Sequence, residues 1–152
     1  MATSNKNLSK YDKATIPNAK DFRFGIVVSE WNPTITEGLF NGAFKSLKDC
    51  GAINDNIVRW NVPGSFELIY GCKRMQQNYD MLDAIIAIGS VIQGETKHFD
   101  FVCEAVSQGI KDLNIQNDIL QFKKLNKNYN AKYEISINIK DLNEEQTLFA
   151  ES

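Results

Sequence analysis

Apolar residues in this chain fall into short unbroken runs, separated by longer stretches in which they recur every third or fourth position. The run FRFGIVVSE, residues 22–30, is apolar along its middle and closes on polar residues, which predicts a buried strand. Beyond it Ile35, Leu39, Ala43 and Leu47 recur at helical spacing, and Phe40 and Phe44 widen the stripe. Asn32 is a candidate N-cap with Pro33 at the first helical position, and Gly51 is a natural stop. NIVRWNV, residues 56–62, predicts a second strand. PGSFELIYGCKRMQQNY then opens on a Pro-Gly turn and continues as a helix, with Phe66, Ile69 and Cys72 on its inner face. MLDAIIAIGSVI, residues 81–92, predicts a third strand whose residues 84–88 are apolar on both faces, as suits the centre of a parallel sheet. A third helix begins near His98, with Phe101, Val102, Ala105, Val106 and Ile110 as its stripe.

Strand and helix thus alternate with short connections, which predicts an α/β fold: an open parallel sheet in a three-layer sandwich, with helices on both faces. At 152 residues the chain is expected to form a single domain, residues 1–152, with no internal repeat or linker. Residues 1–20 are polar and read as a flexible arm rather than a secretory signal. From residue 119 the pattern becomes atypical and rich in Asn, Lys and Ile. There residues 133–139 are expected as a fourth strand, residues 123–132 as a polar loop, and a short helix from Asp141.

Composition narrows the function. A net charge of −2 gives no basic footprint for nucleic acid, and no apolar run is long enough for a membrane helix. Cys50, Cys72 and Cys103 are odd in number and form no C-x-x-C, which suggests buried reduced thiols in a cytoplasmic protein. With a single histidine, no metal site is expected.

Ligands of open parallel sheets bind beyond the carboxyl ends of the strands, and there this chain carries EWNPT, PGSFE and GSVIQGET. Trp31 can cover a sheet edge or stack on a flat heterocycle. Phe66 alone suggests core, and Glu67 alone suggests a partner for the helix dipole. Gly89 and Gly94 let the backbone bend, and Glu95 and Thr96 precede a helix N-terminus, where unpaired amides favour an anion. The sole histidine, His98, stands at that N-terminus, where the dipole disfavours a second positive charge. A neutral imidazole beside an anion seat can take and return a proton.

These residues resemble the lumazine synthase family. EWNPTITEGLFNGAFKSL is similar to its aromatic-Asn segment and first helix, VPGSFEL to its V-P-G-[AS]-[FW]-E motif, and GSVIQGETKHFDFVCEAVSQGI to its G-x-V-I-x-G-x-T-x-H segment. The likeness covers residues 20–118. It implies a flavodoxin-like sandwich and a transferase of riboflavin biosynthesis. Its substrates would be 5-amino-6-(D-ribitylamino)uracil and 3,4-dihydroxy-2-butanone 4-phosphate, joined with release of phosphate and water and without a cofactor. Trp31 would stack on the pyrimidine. Ser65, Phe66, Glu67, Ser90, Val91 and Ile92 would hold ring and ribityl chain, Glu95 and Thr96 would contact the phosphate, and His98 would shuttle protons. The resemblance also implies a homo-oligomer, a pentamer or a multiple of one, with the site between subunits. Riboflavin synthase is a partner it suggests.

The tail departs from the family, as in a divergent or truncated C-terminal part. The family's fourth strand brings an aromatic and its next segment a phosphate-binding Arg, but an ungapped continuation places Lys123 and Ile137 there. No arginine follows Arg74, so Lys123, Lys124 and Lys127 are the available point charges. The alternative this leaves is a non-catalytic shell protein, or a flavin or pyrimidine binder, that kept the pocket and lost turnover.

Overall fold

The computed structural model describes residues 16–116, 137–141 and 146–150. Strand β1 (Phe24–Ser29) leads into α1 (Pro33–Asp49), β2 (Ile57–Val62), α2 (Leu68–Asn78), β3 (Ala84–Ile92) and α3 (His98–Gln116). Two further strands, β4 (Ile137–Asp141) and β5 (Gln146–Ala150), follow. The first three strands are parallel with β1 in the middle: Val27 lies opposite Trp60 on one side and Ala87 on the other. Across the whole sheet the order is β2-β1-β3-β5-β4.

Side chains alternate across a strand, and in β1 that alternation builds two cores. Ile26 and Val28 join Ile88 under Leu39, Phe40, Ala43 and Leu47 of α1. Val27 points the other way, into a larger core with Leu68, Cys72 and Met75 of α2 and Val106, Ile110 and Leu113 of α3. The sheet is therefore covered on both faces, giving the flavodoxin-like three-layer α/β sandwich expected. Burying a side chain such as Met75, with no exposed surface, contributes about 1.5–3 kcal/mol.

The helix ends follow local chemistry. Gly51 takes φ 96°, its N–H bonds Lys48 O at 2.9 Å, and the Ala52 N–H reaches Leu47 O at 3.0 Å. This pair of bonds closes α1 as a Schellman motif, in which glycine meets the left-handed requirement without strain. At Gly71, α2 sits so close to the sheet that a Cβ would lie 2.8 Å from methyl groups of both Val27 and Val62.

Four expectations need correction. Phe66 precedes α2 instead of lining it and is largely exposed. Phe101 is exposed too, because the buried stripe of α3 runs through Val106, Ile110 and Leu113 and leaves Phe101 off its axis. Cys103 and Cys50 are only partly buried, although all three cysteines are free thiols. Past Asp141 the backbone forms β5 where a helix was expected, antiparallel to residues 89–92 of β3. The fourth strand begins at Ile137. Residues 123–132 and the start of the expected fourth strand lie outside the described residues, as does most of the N-terminal arm. Within the arm, Ala19 is buried and its N–H bonds Cys50 O at 2.8 Å.

Candidate active site

Chain direction creates a crevice in this sheet. From β1 the chain passes through α1 to β2 on one side, then through α2 to β3 on the other. The carboxyl ends of β1 and β3 therefore border a topological switch point, where open α/β sheets bind ligands.

Hydrogen bonds tie the three loops together at that point. Ser90, near the end of β3 and 2% exposed, is the hub. Its hydroxyl accepts from Asn32 Nδ2 at 3.0 Å, and its carbonyl accepts from the Ser65 hydroxyl at 2.9 Å. The first and second loops are also joined directly, by Glu30 N–H to Val62 O at 2.8 Å. Gly89 permits this closeness, since a Cβ there would lie 2.7 Å from Ser65 Oγ and from Leu68 Cδ1.

Asn32 differs from the sequence reading. It occupies the N-cap position of α1, but its side chain makes no capping bond and instead crosses to Ser90. Its backbone starts the helix, accepting the N–H groups of Ile35 at 2.9 Å and Thr36 at 3.1 Å. It is the only described non-glycine residue with positive φ, at 56°. Asparagine is among the few side chains that adopt this conformation readily. Beside it the Trp31 N–H reaches Ser29 Oγ at 3.2 Å, while the indole is 62% exposed. Neither Asn32 as a cross-rim link nor the fully buried Ser29 was singled out for the site from sequence. The signal was the order Trp-Asn-Pro, in which Asn fits a left-handed residue ahead of a helix-starting proline.

The remaining predicted residues lie on the segments that lead out of these tied loops. Ser65 is buried, while Phe66 and Glu67 face outward at the entrance to α2. The Glu67 carboxylate folds back over the turn, 2.8 Å from where a Cβ on Gly64 would stand. Val91 is half-buried and Ile92 exposed at the end of β3. Glu95, Thr96 and His98 are exposed on the loop into α3, and the Thr96 hydroxyl accepts the His98 N–H at 3.5 Å. The His98 imidazole makes no hydrogen bond or ion pair with the described residues. Among the described residues, no hydrogen bond joins it to Trp31 or Phe66.

Behind the rim, Ser65, Leu68, Gly89, Val91, Cys103 and Val106 enclose a crevice with only about 10 Å³ for water. That is room for roughly a single water, so nothing larger fits behind the rim. Burial pushes the Cys103 thiol up to about 11, with the nearby Asp100 charge adding to the shift. It is therefore a neutral wall of the crevice and no nucleophile at ordinary pH.

A model of the 6,7-dimethyl-8-ribityllumazine synthase family matches residues 21–122. The chain is 75% identical over 119 residues to the 6,7-dimethyl-8-ribityllumazine synthase of Christiangramia forsetii, a match covering 78% of this chain and 71% of that protein. It is 74% identical to the protein of that name from Flavobacterium johnsoniae, covering 78% of this chain and 62% of the relative. With the one from Parabacteroides distasonis the identity is 50%, covering 78% of this chain and 74% of the relative. The chain thus spans between about three fifths and three quarters of the length of these relatives. All three rim loops lie inside the matched segment, and the chain belongs to the 6,7-dimethyl-8-ribityllumazine synthase family.

Proposed function

We propose that this protein is an enzyme of riboflavin biosynthesis that makes 6,7-dimethyl-8-ribityllumazine. It would condense 5-amino-6-(D-ribitylamino)uracil with 3,4-dihydroxy-2-butanone 4-phosphate, releasing phosphate and water. One observation carries the reading: Ser90 ties the Trp31 loop and the Ser65 loop to the end of β3 at the switch point.

Chemistry supports each of the proposed roles. The exposed Trp31 indole offers a face for the pyrimidine. Ser65, Phe66, Glu67, Ser90, Val91 and Ile92 supply a rim of hydroxyl, carboxylate and apolar contacts for the ring and its ribityl chain. Glu95 and Thr96 border the N-terminus of α3, where backbone amides favour the phosphate. His98 moves protons for imine formation, phosphate elimination and ring closure. Since an aryl-type amine and a ketone condense readily once aligned, positioning supplies much of the acceleration. No cofactor is required.

The open rim favours a homo-oligomer, a pentamer or a multiple of one. Trp31, Phe66, Ile92 and Phe101 are all exposed, and apolar side chains of this size are commonly covered by a partner. Such an enzyme would work in the cytoplasm and pass its product to riboflavin synthase. Among the described residues, no helix is long and apolar enough to cross a membrane.

The test compares wild type with His98→Ala in a lumazine absorbance and fluorescence assay, beside pyrimidine binding by calorimetry. The expected result is turnover by wild type, a rate about a hundredfold lower in the variant, and similar pyrimidine affinity in both. Pyrimidine binding without turnover in wild type would favour a binding protein instead.

A further inference from the structure

We infer that Asn32 is a positioning residue, one that holds Trp31 in place by bridging β1 to β3 through Ser90. The inference rests on the proposed stacking role of Trp31, but its physical core is independent of substrate. Trp31 stands between two fixed points. Its own N–H is held by Ser29 Oγ at 3.2 Å, and Ser29 has no exposed surface. The next residue, Asn32, is anchored at both ends.

On the main chain, the Asn32 carbonyl accepts the Ile35 and Thr36 N–H groups and the Thr36 hydroxyl, the last at 3.3 Å. Thr36 is the only buried residue of α1, so this anchor is solid. On the side chain, Nδ2 reaches Ser90 Oγ at 3.0 Å. The backbone pays for the arrangement with a left-handed conformation, φ 56° and ψ 62°. An ordinary N-cap asparagine adopts extended backbone and bonds its own helix. Here the amide is turned away from the helix and across the switch point, so that the loop carrying Trp31 is fixed relative to Ser90 and, through the Ser90 carbonyl, to Ser65.

Two substitutions separate the backbone from the amide. Asn32→Gly keeps the left-handed conformation and removes the cross-link. Asn32→Asp keeps both, because the Ser90 hydroxyl can turn to donate to the carboxylate. Both are made in a Trp60→Phe background, since Trp60 of β2 packs on Tyr79 at the end of α2 and would otherwise obscure the Trp31 signal.

Time-resolved fluorescence anisotropy of the ligand-free protein reads Trp31 directly. Asn32→Gly is expected to enlarge the fast local component, while Asn32→Asp stays near the parent and circular dichroism shows all three folded. Pyrimidine affinity should fall about fivefold in Asn32→Gly, the loss of one neutral hydrogen bond, and KM for the pyrimidine should rise more than kcat falls. Unchanged Trp31 mobility in Asn32→Gly overturns the inference, whatever the enzyme assay gives. Increased mobility in a protein whose parent makes no lumazine supports the positioning role and overturns the proposed activity instead.

Discussion

At Gly89 the lack of a side chain lets the Ser65 loop meet the end of β3. A methyl group there would press on Ser65 and Leu68, each at 2.7 Å. Gly89→Ala is expected to cost about 1–3 kcal/mol in urea denaturation and to abolish detectable pyrimidine binding by calorimetry, because Ser65 must move off the Ser90 carbonyl. The thiols give a second residue-scale prediction. Cys72 is pushed up to about 12 by burial and Cys103 to about 11, so both stay protonated at pH 8. A thiol-labelling reagent at that pH should leave Cys72 unmodified in folded protein and label all three cysteines in urea. The loops of the candidate site were legible in the sequence to the extent that glycine, proline and aromatic residues cluster after strands. The bridging role of Asn32 was not. An Asn ahead of Pro reads as a cap from local chemistry, and only the sheet reveals that Ser90, 58 positions away, is its partner.

Among the elements, α2 packs on all three parallel strands and on α3. Met75→Ala is expected to lower stability by about 2–5 kcal/mol. Gly71→Ala is expected to lower it by about 1–3 kcal/mol, as the new methyl meets Val27 and Val62, whose β-branched side chains have little freedom to retreat. Thermal or urea unfolding checks both. The outer helix α1 depends less on burial. Arg59 of β2 stacks on Phe40 and pairs with Glu37, and that pairing holds the Glu37 carboxyl below its usual range. The strands and helices of residues 22–116 were readable because each apolar run is either short and continuous or spaced by helical turns. Phe66 and Phe101 misled because an aromatic counts toward an apolar stripe whether it faces the core or solvent. The strand β5 was missed because Glu144, Glu145 and Gln146 suit a helix locally, whereas the exposed edge of β3, far away in sequence, directs pairing.

For the whole molecule, the buried thiol links stability to alkaline pH. An unfolded Cys72 ionises near 9.0 and the folded one near 12. Between those values the unfolded chain holds fewer protons, so stability is intact below about pH 9 and declines as pH rises toward 12. Urea midpoints at pH 8 and 10 should converge in Cys72→Ala relative to wild type, by on the order of 1 kcal/mol. The larger question is whether a chain whose tail leaves the family pattern retains the chemistry of its matched segment. Simultaneous recording of lumazine absorbance and inorganic phosphate, with the purified full chain and both substrates, addresses it most directly. Lumazine and phosphate are expected to appear together in a one-to-one ratio, and only when both substrates are present. A protein that binds the pyrimidine yet releases neither product would contradict it.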